Sequence, residues 1–124
     1  MLKDRAAERQ RQIWRVLFAV VAVWTAWASL VPVEALPHVN AWDKLAHAVT
    51  YALLTLLLLP SQALPRTTVA GGWVFLYGVV IEFAQATTDY RSGDWHDALA
   101  NLVGILVAAG AWQLLRWVRR HWGV

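Results

Sequence analysis

Hydrophobic residues along the chain fall into four long runs that are separated by short polar or proline-containing stretches. The runs cover about residues 13–31, 42–59, 69–87 and 98–117. Each run approaches the roughly 20 residues that a helix needs to cross the hydrocarbon core of a bilayer. Because backbone polar groups in lipid must be satisfied within their own segment, the pattern predicts four transmembrane helices.

The connections between these runs are short. Pairs of prolines interrupt the first two connections, and Ser92-Gly93 marks a turn in the third. Short connections make neighbouring helices antiparallel. The chain is therefore predicted to be all-α, a compact bundle of four transmembrane helices that forms one domain over residues 1–124.

Composition agrees with a membrane protein. Hydrophobic residues make up 59% of the chain and charged residues 15%, whereas about a quarter of the residues in a soluble domain are charged. A single small core could not hide so much apolar surface. The nine tryptophans suit membrane interfaces. Without cysteine, the chain has no disulfide or thiolate chemistry.

The basic residues predict an orientation in the membrane. The N-terminal flank, the second connection and the C-terminal tail hold nine of the eleven Lys and Arg residues, and the other two are Lys44 and Arg91. Basic flanks stay in the cytoplasm, so both termini are predicted to be cytoplasmic. This topology explains the net charge of +3 without a nucleic-acid partner. An alternative is that residues 1–31 are a signal peptide cleaved near Ala26-Trp27-Ala28, which would leave three spans.

Polar side chains gather at the non-cytoplasmic ends of helices two, three and four, and the cytoplasmic halves of these helices are nearly free of ionisable groups. The grouping predicts one outward-facing pocket. Glu82 is the hardest residue to explain by structure alone, because a carboxylate inside a membrane helix needs a partner. The predicted site residues are Asp43, Lys44, His47, Tyr51, Glu82, Gln85, Arg91, Asp94, Asp97 and Asn101.

These residues suggest two kinds of chemistry. His47, Glu82 and Asp97 are the predicted catalytic acid–base groups, and the other seven are predicted to bind a ligand. Lys44 and Arg91 would hold a phosphate of a lipid-linked precursor. A divalent metal held by His47, Glu82, Asp94 and Asp97 is conceivable, but these residues form no tight metal-ligand motif, so neither a metal nor a cofactor is predicted.

Three functions fit this pocket. The protein is an envelope enzyme, a binding module without chemistry, or a purely structural bundle whose polar residues form a closed network. A transporter is disfavoured, because the cytoplasmic halves lack polar residues to continue a path and the chain has no internal repeat.

Three motifs at these positions carry a family resemblance. They are D-K-x-x-H-x-x-x-Y from Asp43, E-x-x-Q from Glu82, and R-x-x-[DE]-x-x-D-x-x-x-N-x-x-G from Arg91 to Gly104. Over about residues 38–110 the chain resembles the VanZ-like family of small bacterial membrane proteins, named for a glycopeptide-resistance determinant. The resemblance implies a multi-pass protein of the bacterial inner membrane, with an envelope lipid or a glycopeptide as ligand. It implies no defined reaction and no resistance by itself.

Overall fold

The computed structural model describes residues 1–32, 40–90 and 93–123, which form four α-helices without any strand. The helices are α1 (Leu2–Leu30), α2 (Asn40–Leu58), α3 (Thr67–Ala86) and α4 (Trp95–Trp122). All four predicted segments are therefore helical, and the all-α fold class is confirmed.

The first and last helices are longer than the apolar runs that predicted them. α1 begins at Leu2, well before its apolar run, because its polar turns form favourable side-chain pairs along the helix. Arg11 lies 2.7 Å from Glu8, and Gln12 donates a hydrogen bond of 2.9 Å to the same carboxylate. α4 continues to Trp122 with three basic residues in its last turn, where positive charge suits the negative end of the helix dipole.

α2 and α3 form the middle of the bundle. Each of them packs against both α1 and α4, whereas the described parts of α1 and α4 share no contact. The core lies where α2, α3 and α4 meet. Its buried residues are Tyr51, Leu54, Leu58, Ala70, Val74 and Ile105.

Side chains of α3 and of the turn that follows it donate hydrogen bonds to backbone carbonyl groups of α1. The Tyr77 hydroxyl donates to the carbonyl of Ala22. Gln85 Nε2 donates to the Ser29 carbonyl at 2.8 Å, and the Tyr90 hydroxyl donates to the Leu30 carbonyl at 2.7 Å. These contacts lie on both sides of the suggested cleavage pattern and hold α1 against α3 and the turn that follows it.

Much of the bundle surface is apolar. α1, α3 and α4 are each long and apolar enough to cross a membrane. Large side chains such as Val23, Phe83 and Val107 are exposed, which suits contact with lipid. α2 is not among these three helices. It carries charged residues in its first turns and contributes much of the core, so its crossing of the membrane is part of the proposal made below.

A glycine sets the distance between α2 and α4. A Cβ atom at Gly104 would lie 2.0 Å from the carbonyl oxygen of Ala48, which is backbone and cannot move aside independently. The two helices therefore touch through their main chains at this level. Small residues permit such close approach between membrane helices.

We expect Gly104→Ala to force α2 and α4 apart and to lower the free energy of unfolding by about 1–3 kcal/mol, the usual cost of overpacking. Gly110→Ala is the matched control on the same helix, because a Cβ there meets nothing within 4 Å; alanine should be neutral or stabilising at that position. Thermal unfolding of both variants in detergent makes the comparison. Equal stability of the two variants would contradict the close α2–α4 contact.

Candidate functional site

One end of the bundle collects the polar side chains of three helices. α2 and α4 both begin at this end, and α3 ends there. We call it the polar end and its linked residues the polar cluster. The polar cluster comprises Lys44 and His47 of α2, Glu82 of α3, Asp94 at the start of α4, and Asp97 and Asn101 within α4.

Lys44 joins α2 to α4 through two carboxylates. Its Nζ donates to Asp94 Oδ2 at 2.8 Å and also to Asp97 Oδ1. The Lys44 and Asp94 side chains are 36% and 38% exposed, whereas Asp97 is 11% exposed. An ammonium group has three protons, so one donor of Lys44 is left after these two contacts.

Asp94 is also the N-cap of α4. Its Oδ1 accepts from the His96 backbone N–H at 2.9 Å and lies 2.8 Å from His96 Nδ1. The hydrogen bond from Lys44 and those from His96 hold the pKa of Asp94 well below its ordinary value. Asp94 therefore stays ionised and presents a negative charge at the positive end of the α4 dipole.

His47 bridges the buried part of the cluster. Its Nδ1 lies 3.0 Å from Asn101 Oδ1, and its Nε2 lies 3.5 Å from Asp97 Oδ2. Because an amide oxygen only accepts hydrogen bonds, Nδ1 carries the proton in this contact. In the neutral ring, Nε2 then holds the lone pair and faces the Asp97 carboxylate.

Glu82 closes the base of the cluster. It is 9% exposed, and its Oε2 accepts from the Asp94 backbone N–H at 3.2 Å. Gly93 permits this contact, since a Cβ there would lie 2.9 Å from the Glu82 carbonyl oxygen. Within the described residues, Glu82 Oε1 and Asn101 Nδ2 are sealed from solvent and have no hydrogen-bond partner. A buried polar atom without a partner is costly in a fold, so both atoms call for an explanation.

The other predicted site residues that the structure describes are not part of this network. Tyr51 is buried in the core one turn below His47, and Gln85 is bound to α1 through Ser29. Asp43 is exposed at the start of α2. Arg91 lies outside the described residues. Thus six of the ten predicted site residues join one network, while Tyr51 and Gln85 support the helices around it.

One subset of these residues has the geometry of a metal site. Single ligand atoms of Asp43, His47 and Asp97 all lie within 4.8 Å of one another. The set combines two carboxylates and one imidazole, which are common ligands of divalent transition metals.

Two residues at the polar end make close contacts although they are not among the predicted site residues. His96 contacts Asp94 through both its backbone and its ring. Gly78 faces Tyr51 and the Asn101 amide, where a Cβ would lie only 2.8 and 2.9 Å away. The N-cap position of Asp94, two residues before His96, is the signal for the backbone contact. A glycine four residues before Glu82, on the same helix face, is the signal for the close approach at Gly78.

The opposite end of the bundle is basic. A cavity of about 480 Å³ lies there between the end of α2, the start of α3 and the end of α4. Arg66, Arg116 and Arg119 line it, together with Trp112. The two ends thus differ in charge, as the positions of the basic residues predicted.

We expect Lys44→Met to lower the free energy of unfolding by roughly 1–3 kcal/mol. It leaves Asp97 without its ammonium partner, but the exposure of Lys44 keeps the loss below that of a fully buried ion pair. Chemical or thermal unfolding in detergent measures the change, and Lys3→Met at the exposed start of α1 is the control. Adding Asp97→Asn should recover part of the loss in a double-mutant cycle. If the two changes are additive, Lys44 and Asp97 are not coupled.

Comparison with known proteins agrees with the motifs. A family model described as VanZ/LLP1 matches residues 4–116, so the likeness extends from the predicted range across α1 as well. Comparisons with curated proteins and with solved structures return no match. The family match covers most of the chain and includes every residue of the polar cluster. The chain therefore belongs to the VanZ/LLP1 family.

Proposed function

We propose that this VanZ/LLP1 protein is a multi-pass protein of the bacterial inner membrane that binds the head group of an envelope lipid, or a glycopeptide-type ligand, at the polar cluster. All four helices cross the membrane in this proposal, with both termini in the cytoplasm. The polar end then faces the envelope, where such ligands are found.

The observation that carries this proposal is the gradation of exposure across the polar cluster. Lys44 and Asp94 are more than a third exposed, His47 and Asp97 are 16% and 11% exposed, and Glu82 and Asn101 are buried. The polar groups therefore run in contact with one another from the surface into the bundle. A ligand at the rim would meet groups whose positions are fixed by buried neighbours.

The balance of donors and acceptors indicates what kind of head group fits. Lys44 is the one lysine of the cluster, and two carboxylates already engage it. Direct capture of a phosphate by Lys44 is thereby weakened, which changes the role predicted from the sequence. Carboxylates accept hydrogen bonds, so the cluster suits a ligand rich in hydroxyl, amine or amide N–H groups. The sugar and peptide parts of envelope precursors carry such groups.

A catalytic role is the second candidate, and the contact between His47 and Asp97 favours it. Asn101 fixes the orientation of the imidazole through Nδ1, and an oriented histidine beside a carboxylate is suited to proton transfer. Glu82 would then be a further acid–base group at the buried end of the cluster. A binder and an enzyme share the same contacts with the ligand, and formation of a product separates them.

The proposed orientation is tested with single cysteines, because the chain has none of its own. Thr87→Cys lies at the polar end and Ala63→Cys lies in the second connection, and both positions are exposed. In spheroplasts, a membrane-impermeant maleimide should label Thr87→Cys and should reach Ala63→Cys only after the membrane is opened. The reverse pattern would invert the topology and place the polar cluster in the cytoplasm.

Ligand binding is tested with the full chain in nanodiscs. The probes are a polyprenyl-linked saccharide-peptide and a soluble glycopeptide, measured by native mass spectrometry and by calorimetry. Asp94→Asn should weaken binding about 10- to 100-fold, the equivalent of losing one charge-assisted hydrogen bond. Asp94 is partly exposed, so this variant should keep most of its stability.

Asp4→Asn is the matched control, because Asp4 is an exposed acid in the first turn of α1. Its affinity should equal that of the unchanged protein. The cluster is structural if neither the unchanged protein nor the Asp94→Asn variant binds either probe, and if the variant also has a lower unfolding temperature. Release of a chemically altered probe would instead establish catalysis.

A further inference from the structure

His47 and Asp97 face each other in a way that suits a positive charge between them. His47 Nδ1 donates to Asn101, so the lone pair of the neutral ring is on Nε2. That nitrogen faces Asp97 Oδ2 at 3.5 Å. Two acceptors at this separation repel each other unless a proton or a metal ion lies between them.

Asp43 supplies a third ligand at the same place. Asp43 and His47 are four residues apart and share one face of α2, while Asp97 comes from the first turn of α4. Their ligand atoms all lie within 4.8 Å of one another. Ligand atoms that bind one tetrahedral ion at 2.0–2.2 Å lie about 3.3–3.6 Å apart. His47 Nε2 and Asp97 Oδ2 already have this spacing at 3.5 Å, so a side-chain shift of Asp43 by up to about 1.5 Å completes the site.

From this geometry we infer that Asp43, His47 and Asp97 bind one divalent transition-metal ion of the zinc or manganese class. An imidazole with two carboxylates suits these ions better than Mg²⁺ or Ca²⁺, which prefer ligand sets made of oxygen alone. Lys44 occupies Asp97 Oδ1, which leaves Oδ2 for the ion.

The surroundings of the three ligands resemble the outer shell of a metal site. A metal-binding histidine usually donates its other N–H to a fixed acceptor, and Asn101, which is 1% exposed, provides that acceptor. Asn101 is in turn held by the close packing around Gly78. The imidazole is therefore preset with Nε2 as the ligand atom before an ion arrives.

Charge supplies an independent observation. Among the described residues at the polar end, Asp43, Glu82, Asp94 and Asp97 are opposed by the single cation Lys44. Glu82 is nine-tenths buried and interacts electrostatically with His47 and Asp97. Its Oε1 has no partner in the described structure. A divalent cation beside Asp97 would offset this excess of negative charge among the described residues.

The ion would also deepen the proposed function, and this part of the inference rests on it. A bound cation presents a positive charge at the rim, where Lys44 is already engaged. It would attract phosphate or carbonyl oxygens of a head group whose hydroxyl and amine groups bind the carboxylates. Metal binding by itself needs no head group, so the two proposals are measured separately.

The test uses the full chain in nanodiscs that contain no envelope precursor. Zn²⁺ and Mn²⁺ are titrated by calorimetry after treatment with a chelator, and Co²⁺ reports ligand geometry through its visible absorption. We expect one saturable site per chain with much weaker binding of Mg²⁺. Asp43→Asn and His47→Asn should each weaken Zn²⁺ binding at least about tenfold, since loss of an outer-shell partner alone costs 10- to 100-fold.

His121→Asn is the matched control, because His121 is an exposed histidine at the far end of α4. Its Zn²⁺ affinity should equal that of the unchanged protein. Asp43 is also exposed, so its variant folds even if the His47 variant does not. Absence of saturable binding, or equal affinities in the Asp43 variant and the control, would overturn the inference.

Discussion

The contact between Gly104 and Ala48 is the constraint on which the polar end depends. It brings the backbones of α2 and α4 together, and the two helices run in the same direction from the polar end. Side chains on the facing surfaces then meet in register: Lys44 reaches Asp97, and His47 reaches Asn101. A larger residue at position 104 would widen this gap, and the shorter side chains of the network would lose their partners first.

The parallel course of α2 and α4 also explains why acids gather at this end. Both helices present the positive ends of their dipoles there, which favours carboxylates in the first turns. Asp43, Asp94 and Asp97 occupy those turns, and α3 adds Glu82 near its C-terminus. The helix dipoles and Lys44 share the stabilisation of these charges. Neither accounts for Glu82, which lies at the unfavourable end of its own helix.

The sequence was sufficient to predict the four helices and the polar residues that gather at one end of them. It did not indicate which atoms of these residues contact each other. Apolar runs revealed four helices because their lengths match a bilayer, and segregation of charge placed Lys44, His47, Glu82 and Asp97 together. Which atoms meet depends on helix rotation and crossing, which a sequence does not encode locally. Gln85 therefore turned out to contact α1, and Lys44, which was predicted to bind phosphate, was found between two acids.

A closed structural network would be expected to satisfy its own members, since partly satisfied buried networks are costly. The network here does so at the rim, where Asp94 accepts from Lys44 and His96. Deeper in the bundle it does not: Glu82 Oε1 and Asn101 Nδ2 lack partners, and His47 Nε2 meets a carboxylate. Two of the three buried atoms without partners among the described residues, Glu82 Oε1 and Asn101 Nδ2, therefore lie beside the residues that would hold an ion or a ligand, and the third is Arg15 Nε on α1. Buried polar atoms without partners lower stability, so the two beside His47 and Asp97 favour the proposed site over a role limited to stability.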